Sequence, residues 1–582
     1  MVNSCKQLAQ RLTRRDVHHT VSRALGAILL MLSGGASSLA GGGPENVFLL
    51  VNSASRGSLA VANHYIDLRK IPPSNVYYTD YRRSKVVAQG RIFRDEILSP
   101  AVAEIKRRGL SSQIDYMVYS SDFPWRIDFT KDFPGQTFPR PLRPVASLTG
   151  ATYLASFVVG KRKEIVGLKT NFYASVANAR VTISQGFRAQ YRWDPGGKRA
   201  ATNGLRYYLS AMLGVTNGRG NSLNEIVNYL RRAARADGTN PGGTIHFVKN
   251  NSPRSTPRHD GYDSAMREIR VAGVQTQLLQ GKFLKGERRV MGLTSGWAQL
   301  EVQKSGCKYL PGAFCDNLTS AGGNFVIPKK LPGQTCLSEF LRAGAAGANG
   351  TVIEPFGIAQ KFPSAALHVH YVHGCSLAEA FYQSVHGPYQ QILVGDPLCQ
   401  PWAKIPLVSV DGLPDGDSLR GSVEITPSAT NASTHGIKLF ELYVDGKRTQ
   451  QCRPGEKITL ETSSMDDGQH ELRVVATDAS PIETQGRWIG KVIVKNGRDA
   501  TALSVNRASL KKGMKQLAVN VTSTHSRRVS IYHNGRELGH VAEGSGTLEI
   551  GMDKLGIGPV TLIGKTVGSS AVRSHALRIV IP

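Results

Sequence analysis

Asn46-Val-Phe-Leu-Leu-Val-Asn52 is a short apolar run closed at each end by asparagine, and the reading of residues 44–403 grows from it. A run of that length and composition predicts a strand buried on both faces inside a parallel sheet. It is followed by Leu59-Ala-Val-Ala-Asn-His-Tyr-Ile-Asp-Leu68, whose apolar residues recur at helical spacing until Pro72-Pro73 stops them. Asn75-Val-Tyr-Tyr-Thr79 supplies a second strand. The cycle then repeats. Helices are predicted around 93–108, 204–213, 223–234, 264–280, 336–346 and 377–385. They alternate with apolar strands at 116–120, 244–248, 290–295, 351–354 and 391–394. This alternation predicts an α/β domain over 44–403, with a mostly parallel sheet flanked by helices. Residues 122–203, rich in Pro, Gly and Arg, break the rhythm and read as an irregular insertion over the sheet.

The style changes near Pro401. Between 405 and 582 short strand candidates recur, among them Gly421-Ser-Val-Glu-Ile-Thr426, Lys438-Leu-Phe-Glu-Leu-Tyr-Val444 and His470-Glu-Leu-Arg-Val-Val-Ala476. Asp445-Gly446 and Asp467-Gly468 read as hairpin turns, because both residue types tolerate positive backbone angles. The pattern Tyr443-Val-Asp-Gly-Lys447 followed by Asp467-Gly-Gln-His-Glu-Leu-Arg-Val resembles a bacterial immunoglobulin-like sandwich. A second set of strands, with Asn534-Gly535 as its turn, follows Asn496-Gly497. Two consecutive all-β sandwiches are therefore expected, over 405–496 and 497–582.

Hydrophobic residues make up 41% of the 582 and charged residues 20%, which excludes a disordered polymer and a multi-span membrane protein. The formal charge is +29, scattered in small knots such as Lys106-Arg107-Arg108 and Arg288-Arg289. No aromatic ladder or nucleic-acid motif accompanies these knots, so nucleic acid ranks low as a partner. Residues 1–40 read as an export signal: Arg14, Arg15 and Arg23, a short apolar run, then small residues ending at Ala40. The run is about half the roughly 20 residues that cross a bilayer, so no permanent anchor is expected. Arg14-Arg15 also fits a twin-arginine route. Export makes anionic envelope polymers and other exported proteins the natural partners.

In an open parallel sheet, ligands gather beyond the carboxyl ends of the strands. Polar residues predicted there are Asn52-Ser53, Ser120-Ser121-Asp122, Thr294-Ser295, Thr319-Ser320, Glu354 and Gly395-Asp396-Pro397. The order of elements from Val290 to Trp402 resembles the second half of the caspase/gingipain-type peptidase fold, including its Gly-Asp-Pro segment at Gly395-Asp396-Pro397. The block from Asn46 to Trp402 also resembles an uncharacterised family of exported bacterial proteins. It shares stretches such as Pro311-Gly-Ala-Phe-Cys-Asp-Asn-Leu-Thr-Ser-Ala-Gly-Gly323 and Leu367-His-Val-His-Tyr371. The peptidase resemblance implies a His-Gly pair after one strand and a nucleophilic Cys after the next. Here Ser295-Gly296 stands where His-Gly would. Cys315 and Ser320 are the nucleophile candidates, Asp396 is the third catalytic candidate, and His259, His368, His370 or His373 would have to supply the base.

His368-Val-His370 is a second constellation. On a strand both imidazoles would share one face, and Glu354 or Asp396 would complete a metal set. Cys307 and Cys315 form the easiest local disulfide pair, which would exclude a resting Cys315 nucleophile. Asp411, Asp415 and Asp417 offer oxygen ligands as calcium sites do, but without the remaining ligands of a known loop an ordinary acidic turn fits them better. The leading expectation is an exported, non-catalytic binding or envelope-associated protein that requires no cofactor. A cysteine- or serine-dependent hydrolase is the alternative, and a metal enzyme centred on His368, His370 and Glu354 the third.

Overall fold

The computed structural model describes residues 42–174, 181–328, 333–414, 418–430, 433–497, 499–524, 527–568 and 571–582. The expected export segment, Asp415 and Asp417 lie outside them. Among the described residues no helix is long and apolar enough to cross a membrane.

The main sheet of the amino-terminal half has ten strands. In chain order these are β1 (Val47–Asn52), β2 (Val76–Thr79), β3 (Tyr116–Tyr119), β4 (Leu209–Met212), β5 (Thr244–Lys249), β6 (Gln275–Gln280), β7 (Val290–Ser295), β8 (Tyr309–Asn317), β9 (Gly347–Thr351) and β10 (Gln391–Gly395). Their spatial order is β6-β5-β7-β8-β9-β10-β4-β3-β1-β2. The block β6 to β9 is parallel throughout, and so is the block β4 to β2. Between them β10 runs antiparallel to β9, with Gly395 opposite Gly347, and touches β4 through one parallel bridge, Val394 to Met212. The sheet is therefore mixed.

The helices that cover the sheet are α1 (Arg56–Arg69), α2 (Ser99–Arg107), α3 (Leu148–Tyr153), α4 (Leu223–Ala234), α5 (Tyr262–Val271), α6 (Ser338–Arg342), α7 (Ala366–Val372) and α8 (Leu377–Ser384). Local chemistry sets several of their ends. Ser55 caps α1 by accepting from Ser58 N at 3.2 Å, and Lys70 closes it in the left-handed region at φ 56°. Ser222 with Glu225, and Ser376 with Glu379, form reciprocal capping boxes on α4 and α8.

Three local expectations are corrected. Residues 209–212, expected as helix, form a buried central strand, because pairing with β3 outweighs the helical preference of Leu, Ala and Met. The helix expected over 264–280 ends at Val271; Gly273, at φ 84°, turns the chain into edge strand β6. The 122–203 segment is not merely irregular. Its strands Arg126–Asp128 and Val145–Ser147 join Val87–Gln89 in a small sheet, and α3 packs beside β4 and β10.

The carboxyl-terminal half is two β-sandwiches. The first has strands β11 (Leu407–Asp411), β12 (Ser418–Leu419), β13 (Ser422–Thr430), β14 (Ile437–Val444), β15 (Lys447–Cys452), β16 (Ile458–Glu461), β17 (Asp467–Asp478) and β18 (Gln485–Val494). Sheet β11-β13-β16 faces sheet β12-β18-β17-β14-β15 across a core that includes Ile425, Phe440, Leu460 and Val474. This is an immunoglobulin-like arrangement. The second sandwich has β19 (Thr501–Ser504), β20 (Gln516–Ser523), β21 (Val529–His533), β22 (Arg536–Val541), β23 (Gly546–Gly551), β24 (Gly558–Thr566), β25 (Val572–Arg573) and β26 (Leu577–Ile581). Sheet β19-β20-β23 faces β26-β24-β21-β22 around Leu517, Val519, Ile531 and Leu562. Asp445-Gly446 (φ 49° and 81°) and Asn534-Gly535 (φ 47° and 75°) make the tight turns expected of them. Asp467-Gly468 does not. It begins β17, and its glycine lets β25 approach, joining the two sandwiches into one continuous sheet.

Candidate functional site

Loops that leave the carboxyl ends of strands in the two blocks touch one another. Phe325, beyond β8, accepts a hydrogen bond from Arg219 N, beyond β4, at 2.8 Å. Its ring lies 5.6 Å from Trp125, beyond β3. Gly323 N donates to the carbonyl of Thr351, the last residue of β9, at 3.0 Å. Loops from several of the expected strand tips are thus in contact, and they fold over one another.

Asp122 is the centre of one polar cluster here. Its carboxylate, 3% exposed, accepts from the hydroxyls of Ser55 and Thr216, and Lys85 Nζ lies 3.3 Å away. Asn52 Nδ2 donates to the Asp122 and Tyr81 carbonyls at 2.9 Å each. Asp122 holds φ 61°, in the left-handed region that costs a non-glycine residue energy and recurs at functional sites. Asn52 and Asp122 were legible as strand-tip residues. Ser55 was not singled out in the sequence, and nothing local marks Thr216 or Lys85 as neighbours of Asp122.

A second network fills the space below β7 to β10. Arg258 bonds Asp316 and donates to the Ser295 carbonyl at 2.5 Å. Asn349 Nδ2 donates to Asp316 at 2.8 Å and to Gln391 Oε1 at 3.1 Å. Lys361 is fully buried, and desolvation lowers its pKa to about 8. It donates to the Pro141 and Pro355 carbonyls and to Gln390, so its proton donors are engaged in holding loops.

Ser295 and Asn317 end neighbouring strands and pair with each other. Neither resembles a reacting pair. Asn317 Oδ1 accepts from Trp297 N at 3.1 Å, and its Nδ2 donates to Trp297 O at 3.0 Å. A Cβ at Gly296 would collide with the Arg254 carbonyl, so the 252–255 loop seals this tip.

The other candidates are dispersed. Cys315 lies inside β8, two residues short of the tip and fully buried. Burial first, and the Asp316 charge second, raise its thiol pKa well above the ordinary value, which disfavours thiolate. Ser320 is on the tip loop, 3.4 Å from Arg254 Nη2. His259 is bound instead to Ser255 Oγ, at 2.7 Å. Asp396 is at the opposite end of the sheet, because β10 is the strand that runs against β9. There it bonds Tyr65 OH at 3.0 Å and Arg69 Nε at 2.8 Å, beside the last turn of α1.

His368 and His370 sit on a helix, α7, not on a strand. Residues two apart on a helix point about 200° from one another, which undoes the metal pair. His368 packs against Phe247 and Phe314, while His370 Nδ1 and His373 Nδ1 both contact Ser184 Oγ at 2.9 Å. Burial lowers the pKa of His368 to about 4 and that of His370 to about 3. Glu354 is exposed and accepts from Phe356 N at 3.0 Å. Among the described residues no group of three or more His, Cys, Asp or Glu is placed to hold a metal. Cys307, Cys315, Cys336, Cys375, Cys399 and Cys452 are all free thiols, so the local Cys307–Cys315 disulfide is absent. Asp411 belongs to β11.

A cavity of about 490 Å³ is framed by α1 and by both sandwiches. Ile66, Ile71, Ile489 and Ile563 give it apolar walls, with Lys491 and Arg573 among its charged lining.

No protein-family model matches this chain, and no curated protein matches it. Solved structures with local likeness include the fibronectin(III)-like modules of Clostridium thermocellum CbhA (16% identical over 30% of this chain and 94% of that one, TM-score 0.14). Another is SGBP-B of the Bacteroides ovatus mixed-linkage glucan utilization locus, in complex with a mixed-linkage heptasaccharide. It is 9% identical, the match covers 29% of this chain and 46% of that one, and the TM-score is 0.18. A Parabacteroides merdae beta-glucuronidase matches over 62% of this chain and 54% of its own, at 12% identity and a TM-score of 0.13. Scores this low establish no shared overall architecture.

Proposed function

We propose that the protein is an exported, envelope-associated binding protein whose α/β domain, of caspase/gingipain-like type, does not catalyse a reaction. One observation carries the reading: the paired tips Ser295-Gly296 and Asn317 are tied into their own main chain and covered by the Arg254 loop. A thiol or hydroxyl nucleophile needs a base within hydrogen-bond reach, and a buried, protonated Cys315 has neither charge nor access. The cavity between α1 and the two sandwiches is the ligand seat. Its volume and apolar walls suit a small amphipathic ligand or the end of a polymer chain.

Two measurements on the exported chain test this. Serine- and cysteine-directed mechanism-based probes are expected to leave the protein unlabelled; labelling abolished by Ser320→Ala or Cys315→Ala would overturn the reading. Retention on isolated envelope material is expected to fall about tenfold in Ala576→Trp, which fills the cavity. A serine-dependent hydrolase is the second reading, and the strained Asp122 with Ser55, Thr216 and Lys85 is what favours it. Probe labelling lost in Ser55→Ala would select it.

A further inference from the structure

The amino ends of β7 and β8 border a concavity of about 500 Å³, at the end of the sheet away from the strand tips. Its walls are one face of α4, the Cys307–Pro311 segment and the residues that close α6. Arg232, Arg288, Lys308 and Arg342 contribute four cations, against the single carboxylate of Glu225. That carboxylate is already committed. It accepts from Arg342 Nε at 2.9 Å and from Ser222 N at 2.9 Å, and these bonds outweigh burial to hold its carboxyl below the usual range.

Arg232 is held in place by its own surroundings. Nη2 donates to the Tyr309 carbonyl at 2.6 Å, and its buried Nε has no partner. Gly344, at φ 108°, lets the guanidinium lie against the chain; a Cβ there would come within 3.2 Å of Nη2. Arg288 and Lys308 are exposed and paired with no carboxylate among the described residues. Uncompensated cations in a concave surface focus positive potential and lower the cost of fixing an anion there.

We propose that this cleft binds an oxyanion-bearing ligand through Arg232, Arg288 and Lys308. Phosphate and carboxylate groups share the required chemistry, whether free in solution or carried on a polymer. This site is separate from the cavity beside α1 and does not depend on the binding reading given above.

Titration calorimetry of the full chain tests the proposal with two probes, pyrophosphate and dextran sulfate. Arg288→Gln/Lys308→Gln is expected to weaken binding about tenfold or more, and the wild-type affinity is expected to fall as salt is raised. Lys161→Gln/Lys163→Gln, which removes the same charge from another exposed segment, is expected to change binding less than about twofold. Pyrophosphate binding with this variant pattern assigns the cleft to free oxyanions; the pattern with dextran sulfate alone assigns it to anionic groups on a polymer. Equal losses in both double variants, or no binding of either probe by the wild type, would overturn the proposal.

Discussion

The two halves of this molecule spend their polar groups differently. The α/β half buries them within itself: Arg258 with Asp316, Asn349 with Gln391 and Lys361 with three acceptors lie beneath its strand tips. The sandwiches keep apolar cores and place their buried charges on the border with the α/β half. Glu45 there is fully buried and meets Arg473 at 3.0 Å and Arg487 at 3.2 Å. Asn63 of α1 donates to the carbonyls of Leu555 and Ile557, and its amide oxygen meets His533 Nε2 at 3.2 Å. The difference teaches that buried polar contacts, which fix orientation, hold the border between the modules together with the apolar residues that wall the cavity there.

The sharpest way to break this contrast is Glu45→Ala. Burial alone would raise the Glu45 pKa, but Arg487 and Arg473 outweigh it and hold the carboxyl below its usual value. Removing the carboxylate leaves the Arg473 guanidinium buried with Glu471 as its remaining ion-pair partner among the described residues. A loss of about 3–5 kcal/mol is expected in urea unfolding of the full chain. A loss below about 1 kcal/mol would mean that the border does not depend on this network.

The next prediction concerns acids buried inside the α/β half. Glu379 is raised to about 7 and Asp115 to about 6, in both cases by desolvation that outweighs hydrogen bonding and, for Asp115, the neighbouring Arg188. Between about pH 4.5 and 7 the native state therefore holds more protons at these groups than the unfolded chain, so their contribution to stability falls as pH rises. Buried His368 and His370 tilt the curve the other way, since the unfolded chain takes up their protons first on acidification. The clean readout is a difference. Glu379→Gln keeps an acceptor for the α8 cap and is expected to remove roughly 2–3 kcal/mol of the fall across that window. An unchanged slope would remove Glu379 from the account.

The smallest expected effect lies on the outside of the first sandwich. Glu424 and Lys457 pair at 2.7 Å, but their side chains are 62% and 58% exposed. Glu424→Gln is expected to shift stability by less than about 0.5 kcal/mol. Set against Glu45, it separates charge pairs that hold modules together from those that decorate a face.

Much of the architecture was legible locally. Buried runs such as Val47–Asn52 and Val290–Ser295 announced their strands, and the apolar spacing after Leu377 announced a helix. The hairpins at Asp445-Gly446 and Asn534-Gly535 followed from their turn residues. Misreadings arose where two local rules competed. Leu209–Met212 carries helix-forming residues, yet its position between β3 and β10 imposes a strand. His368-Val-His370 fits a strand by spacing, yet its neighbours continue a helix. The candidate site was legible only in part: Asn52 and Asp122 were marked by their place after apolar runs, whereas Ser55, Thr216 and Lys85 reach Asp122 from other loops.

By itself the amino-acid sequence determined the strand-and-helix alternation up to Pro401, the all-β character of the remainder and the excess of positive charge. Those properties depend on residues within a few positions of one another, or on composition alone. Tertiary structure alone decided that β10 is reversed and carries Asp396 away from the tips, and that Asn317 closes the end of its own strand. It also decided that four cations converge on one cleft. Strand order and burial are set by contacts between residues hundreds of positions apart, and only those contacts exclude water from a charge or bring a partner to it.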